Sequence, residues 1–115
     1  MMNIFRKLSL LLVISVSPQV FSAQDASIKI SFPADGATLM KAAKNDISFE
    51  AMPGERGDHL HLYVDDSTSP VIIRKLKGSN ALPQLEAGNH NICLKLVDKG
   101  HTPVGTEKCI KIKTE

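Results

Sequence analysis

The 115-residue chain has no tryptophan, one tyrosine and four phenylalanines. Its core cannot rest on large rings and must come from Ile, Leu and Val, which favours strands. No Gly-x-Ser-x-Gly elbow, phosphate loop or zinc-protease motif occurs, so the chain lacks the short signatures that place a nucleophile, a phosphate or a hydrolytic zinc. Ser67, Ser69 and Ser79 stand in turn-like stretches with no base beside them. The expectation is a protein that is not an enzyme. Nor does any apolar run reach the ~20 residues of a membrane-spanning helix.

The nearest to such a run is Leu8–Val16, nine residues behind a short basic head of Arg6 and Lys7. Pro18 then breaks it, and small residues follow. That is the layout of a secretory signal peptide. Cleavage after Ser22 puts Val20 and Ser22 at the two small-residue positions, whereas cleavage after Ala23 would put Phe21 at one of them. The expected division is a signal peptide over 1–22 and one domain over 23–115, with no membrane span once the leader is gone. The destination is the periplasm or the medium.

A net basic charge is also lacking after that cut. The chain holds 14 Lys and Arg against 12 Asp and Glu; Arg6 and Lys7 leave with the leader, so 12 remain of each sign. A neutral domain has no electrostatic footprint for nucleic acid. About 90 residues suffice for one small domain and not for two.

What is present is period-two alternation. Ser27–Phe32 sets Ile28, Ile30 and Phe32 on one face, and Asp46–Ala51 turns Ile47 and Phe49 inward. His59–Val64 turns Leu60, Leu62 and Val64 inward and His59, His61 and Tyr63 outward. Val71–Leu76 is a less regular strand, and Ala81–Leu85 is short and demoted by Pro83. His90–Val97 faces Ile92, Leu94 and Leu96 inward; Glu107–Lys113 does the same with Ile110 and Ile112. Turn chemistry separates them, including Lys77–Asn80 and the stretch from Pro33. Thr38–Asp46 has room for a single helical turn but no sustained apolar face. Seven short strands and no convincing helix suggest an immunoglobulin-like antiparallel β-sandwich.

Parity pairs the cysteines. Cys93 and Cys109 both point outward, and a hairpin around residues 98–104 sets them face to face, near the spacing a disulfide needs. Such a bond would close a loop of about 17 residues and contribute roughly 3 kcal/mol.

Parity also groups the histidines. His59 and His61 share a face about 6.6 Å apart at strand rise. In the sandwich the third strand lies antiparallel to the sixth, so the loop holding His101 comes to the same rim, as does Met52. His90 starts the sixth strand, about 20 Å away. Neutral imidazole suits copper, zinc or nickel, and three histidines with a thioether make a candidate copper site. The bland alternative is a solvated strand face. Asp65 and Asp66 enter a turn, where acids cap backbone amides; the spacing of a calcium loop is absent.

The stretches "FPADGATL", "DHLHLYVDD" and "LEAGNHNICLKLVDKGHTPVG" together resemble small exported bacterial proteins of uncharacterised families. Their pattern is a His-Leu-His strand ending in acids, then a Gly-x-His turn before an apolar strand ending in Asp, and a further His in the next loop. The resemblance covers about residues 28–112. It implies an immunoglobulin-like domain, export and no enzyme activity, and it adds weight to the histidine placement; the cysteine pair is no part of it. Two functions are expected from this. One is a non-catalytic domain binding another protein or an envelope component, and the other is a periplasmic metal protein, copper foremost, using His59, His61 and His101 with Met52.

Overall fold

The computed structural model describes residues 25–115; the expected signal peptide, 1–22, lies outside them. Eight strands form two sheets. They are β1 (Ser27–Phe32), β2 (Thr38–Leu39), β3 (Asp46–Met52), β4 (His59–Val64), β5 (Val71–Ile73), β6 (Lys77–Ala81), β7 (Gly88–Val97) and β8 (Pro103–Thr114). One sheet has the order β1-β3-β6 and the other β2-β8-β7-β4-β5. The chain is an all-β sandwich, and no helix occurs among the described residues.

Alternation decides which face closes on the other sheet. Ile47, Phe49 and Ala51 from β3 meet Leu60 and Leu62 from β4, Leu94 and Leu96 from β7, and Ile110 and Ile112 from β8 in one buried cluster. Burying such a side chain contributes about 1.5–3 kcal/mol. The cluster does the work that aromatic rings do elsewhere, with Phe49 its one ring. Gly57 shows how closely the parts fit. A Cβ there would stand 2.3 Å from the Pro53 carbonyl oxygen and 2.6 Å from Leu96 Cδ2, so the loop before β4 can press onto the core only without a side chain.

Four local expectations are corrected. Phe32 is not inward: the register slips between Ile30 and Phe32, which turns the ring out to 50% exposure. Lys77–Asn80 is not a turn but most of β6, paired with β3 from Glu50↔Lys77 to Asp46↔Ala81; its weak apolar pattern reflects a sheet edge. Ala81–Leu85 is no strand beyond Ala81, yet it still buries Leu82 and Leu85. The stretch allowed one helical turn instead opens with β2, which pairs parallel to β8 through Thr38↔Lys113 and Leu39↔Thr114, so the sandwich is not wholly antiparallel.

The pairing that matters for function stands as expected. β4 runs antiparallel to β7 with His59↔Val97, His61↔Lys95 and Tyr63↔Cys93. β7 runs antiparallel to β8 with Cys93↔Cys109 and Lys95↔Glu107. Cys93 and Cys109 form a disulfide, 16 residues apart in sequence. Replacing both cysteines with alanine should cost about 3 kcal/mol through loss of loop closure, read as a lower midpoint in urea unfolding. A loss under about 0.5 kcal/mol would mean that the hairpin is already closed in the unfolded chain.

Candidate metal centre

His59 and His61 leave β4 on the side opposite Leu60 and Leu62. That outer face was expected to be wet, yet His59 is 1% exposed and His61 5%. The reason is the loop between β7 and β8. Asp98 Oδ1 accepts hydrogen bonds from the Gly100 and Thr102 amides, both at 2.9 Å. The Asp98 amide donates to the Thr102 carbonyl, and the His101 amide to the Asp98 carbonyl. The loop so tied holds His101 at φ 65°, a left-handed backbone that is uncommon outside glycine and recurs at functional sites. This conformation folds the His101 ring back over the other two, with ring centroids 4.6 and 5.2 Å away.

Three ring nitrogens then face one centre. His59 Nε2 lies 3.2 Å from His61 Nε2 and 3.1 Å from His101 Nδ1, and the last two are 3.0 Å apart. Hydrogen bonds alone do not close this triangle. Each edge would need its own N–H, while a ring nitrogen carries at most one hydrogen, pointed along the ring bisector. His59 Nδ1 donates to Asp58 Oδ2 at 2.9 Å, so in the neutral ring Nε2 offers only a lone pair. One proton shared by three nitrogens, or one metal ion, satisfies what pairwise bonds leave open.

A circle through the three nitrogens has a radius of about 1.8 Å by these distances. With metal–nitrogen bonds of about 2.0 Å, an ion would stand about 1 Å from their plane, at the centre of three corners of a tetrahedron. The triad meets the geometric test for a metal with three donors. Among the described residues no carboxylate or thiolate joins it. Asp58 supplies what metal-bound histidines usually have, a carboxylate on the far ring nitrogen that sets tautomer and ring angle. His61 has a lowered pKa, chiefly from burial and then from the nearby His59, His101 and Arg74 charges. A ring that resists protonation keeps its lone pair available.

Met52, expected as a fourth donor, ends β3 in the other sheet. Ile47, Phe49 and Ala51 take the inward parity there, so Met52 turns outward at 43% exposure, away from the five-stranded sheet. It is not brought to the three histidines. Asp58 was missed because neighbours on a strand face opposite ways. It precedes β4, where that rule does not yet hold. Its place immediately before His-x-His was the one available signal.

His90 stands at the other end, as expected. Its Nδ1 donates to Asp65 Oδ2 and its Nε2 to the Glu86 carbonyl, both at 2.5 Å. A cavity of about 650 Å³ lies there, lined in part by Asp65, His90, Lys111 and Lys113. With both nitrogens donating, the imidazole has no lone pair for a ligand. Asp65 acts as the turn acid expected, its Oδ1 accepting from the Asn91 amide at 2.8 Å.

No protein-family model matches the chain, and no curated protein matches it. Among solved structures it is similar to the extracellular domain of BT4673 from B. thetaiotaomicron, known from two crystal structures. One, designated a one component system, has a TM-score of 0.54 and 10% identity over 79% of this chain. The other, designated a hybrid two component system, has 0.54 and 9% over 79%. The chain spans only 16% and 15% of those proteins' lengths. At such identity the likeness is one of fold.

The His90 contact has a pH signature. Hydrogen bonds to Asp65 and then to the Glu86 carbonyl raise the His90 pKa, against the opposing effect of burial. Partial burial would raise Asp65, but the hydrogen bonds from His90 and Asn91 outweigh it and lower its pKa. A histidine raised on folding stabilises fully below its unfolded pKa of about 6.5, and loses that contribution as pH rises through the folded value. Asp65 contributes above about pH 4 and loses its part as pH falls through its lowered value. His90→Gln should therefore be less stable than wild type at pH 5.5 and much closer to it at pH 8.5, measured by urea unfolding. An equal deficit at both values would show that the ring acts by packing alone.

Proposed function

We propose that the protein is an exported, non-catalytic β-sandwich domain that binds a divalent transition-metal ion, copper foremost, through His59, His61 and His101. The observation that carries this reading is the triangle of ring nitrogens with edges of 3.0–3.2 Å, backed by the Asp58 carboxylate on His59 Nδ1. Three imidazoles suit copper, zinc and nickel, and Cu(II) binds most tightly of the divalent series at a given nitrogen site. Export is supported by the leader pattern of residues 1–22 and by the Cys93–Cys109 bond, since disulfides persist mainly in oxidising compartments.

A second role rests on a separate observation. β5 is the edge of the five-stranded sheet, and Val71 and Ile72 are exposed on it. An open edge with apolar side chains accepts a strand from another chain. A protein or envelope component docked there would fit the binding-domain reading, and it would lie beside the histidines because Ile72 pairs with His61.

Calorimetric titration of the tag-free domain with Cu(II) and Zn(II) tests the metal reading. One ion should bind per chain. At 100 times its Kd the ion should add about 2.7 kcal/mol of stability, seen as a raised melting temperature. Asp58→Asn should weaken binding about 10–100-fold, the usual effect of losing an outer partner, and His61→Ala should weaken it further. Binding weaker than millimolar by the wild type, or equal binding by His61→Ala, overturns the assignment.

A further inference from the structure

The triad's donor set is electrically neutral. Three neutral imidazoles bring a divalent ion no negative charge, and the Asp58 carboxylate beyond His59 offsets only one unit. Among the described residues no carboxylate or thiolate joins the three nitrogens, and the nearest acids are engaged: Asp58 Oδ2 with His59 and Asp98 Oδ1 with the Gly100 and Thr102 amides. A positive site of this kind, in partly desolvated surroundings, favours an anion from outside.

A second cation stands at its edge. Ile72 pairs with His61 and Ile73 with Leu60, so Arg74, the next residue, follows β5 beside the start of β4, and its side chain is exposed. Lys95, paired with His61 on the other side, is already engaged. Its Nζ lies 3.7 Å from Glu107 Oε2 and 4.9 Å from the centre of the Tyr63 ring. Among the described residues, by contrast, no hydrogen bond or ion pair holds the Arg74 guanidinium. A guanidinium is a planar fork matched to a carboxylate, and an arginine left beside a cation site repels the ion unless an anion lies between them.

We propose that the site takes its metal together with a small carboxylate, one oxygen on the ion and the other on the Arg74 guanidinium. The inference rests on the metal reading above and adds the anion and its anchor. Arg74 then has two opposite effects. Without the anion its charge weakens metal binding, and with the anion it strengthens the ternary complex. Coupling is reciprocal: the factor by which the carboxylate tightens the metal equals the factor by which the metal tightens the carboxylate.

The test is Cu(II) binding to the oxidised domain in a non-coordinating buffer at fixed free Cu(II), with and without acetate and with chloride as the control. In the wild type, acetate should tighten Cu(II) at least about tenfold and shift the visible absorption of the bound ion. Chloride, which fills a corner but does not bridge, should do much less. Arg74→Gln should bind Cu(II) more tightly than wild type in the anion-poor buffer and lose most of the acetate effect; Arg74→Lys, which keeps the charge without the fork, should retain only part of it. Both variants alter an exposed side chain, and a urea midpoint confirms that they fold. If Cu(II) binds the wild type equally well with and without acetate, or if Arg74→Gln responds to acetate as the wild type does, the anion proposal is overturned while the metal site stands. Failure of the wild type to bind Cu(II) in either buffer overturns both.

Discussion

The antiparallel register of β4, β7 and β8 is the constraint from which the rest follows. His59↔Val97 and His61↔Lys95 set the two strand histidines on the outer face, near the end where β7 turns into β8. The Cys93↔Cys109 pair locks the hairpin on that same face. A slip of one residue would carry His59 and His61 into the core and Leu60 and Leu62 into water. Burial of those leucines therefore defends the histidine positions. The core supplies the free energy, and the outer face inherits its geometry from it.

On that face the energetic problem is electrostatic. Two buried imidazoles and a third folded over them bring nitrogens within 3.2 Å of one another, and burial, then the neighbouring ring charges, lower the pKa of His61. Keeping lone pairs aimed at a common point costs some stability, and the left-handed backbone of His101 is one part of that cost. Asp58 and Asp98 repay part of this by hydrogen bonding, one to a ring and the other to the loop amides. His90 at the far end is the contrasting case: a histidine of the same composition class becomes a crosslink because two acceptors meet its two nitrogens.

Strands with a firm alternation were legible. Leu60, Leu62, Leu94, Leu96, Ile110 and Ile112 all face the core as their spacing implies. The weakly patterned pieces were not. β6 contains Gly78, Ser79 and Asn80, which read as a turn; they form a strand because β3 offers an unpaired edge. Phe32 escapes its expected face because a bulge resets the count. At the site, His59, His61 and His101 could be grouped from topology and parity. The burial of the first two could not, since it comes from the His101 loop lying over them. Asp58 and Arg74 sit just outside strand ends, where alternation no longer says which way a side chain points.

By itself the sequence determined which faces of β4, β7 and β8 are apolar, and hence the sides on which the cysteines and histidines lie, because a period of two leaves a side chain only two directions. Tertiary structure alone decided that three imidazoles meet within bonding reach of one ion while Met52 does not. That distinction depends on how a loop of five residues, 98–102, closes over a neighbouring strand, and on which of two sheets β3 joins. Both are contacts between segments far apart in the chain, and no local pattern records them.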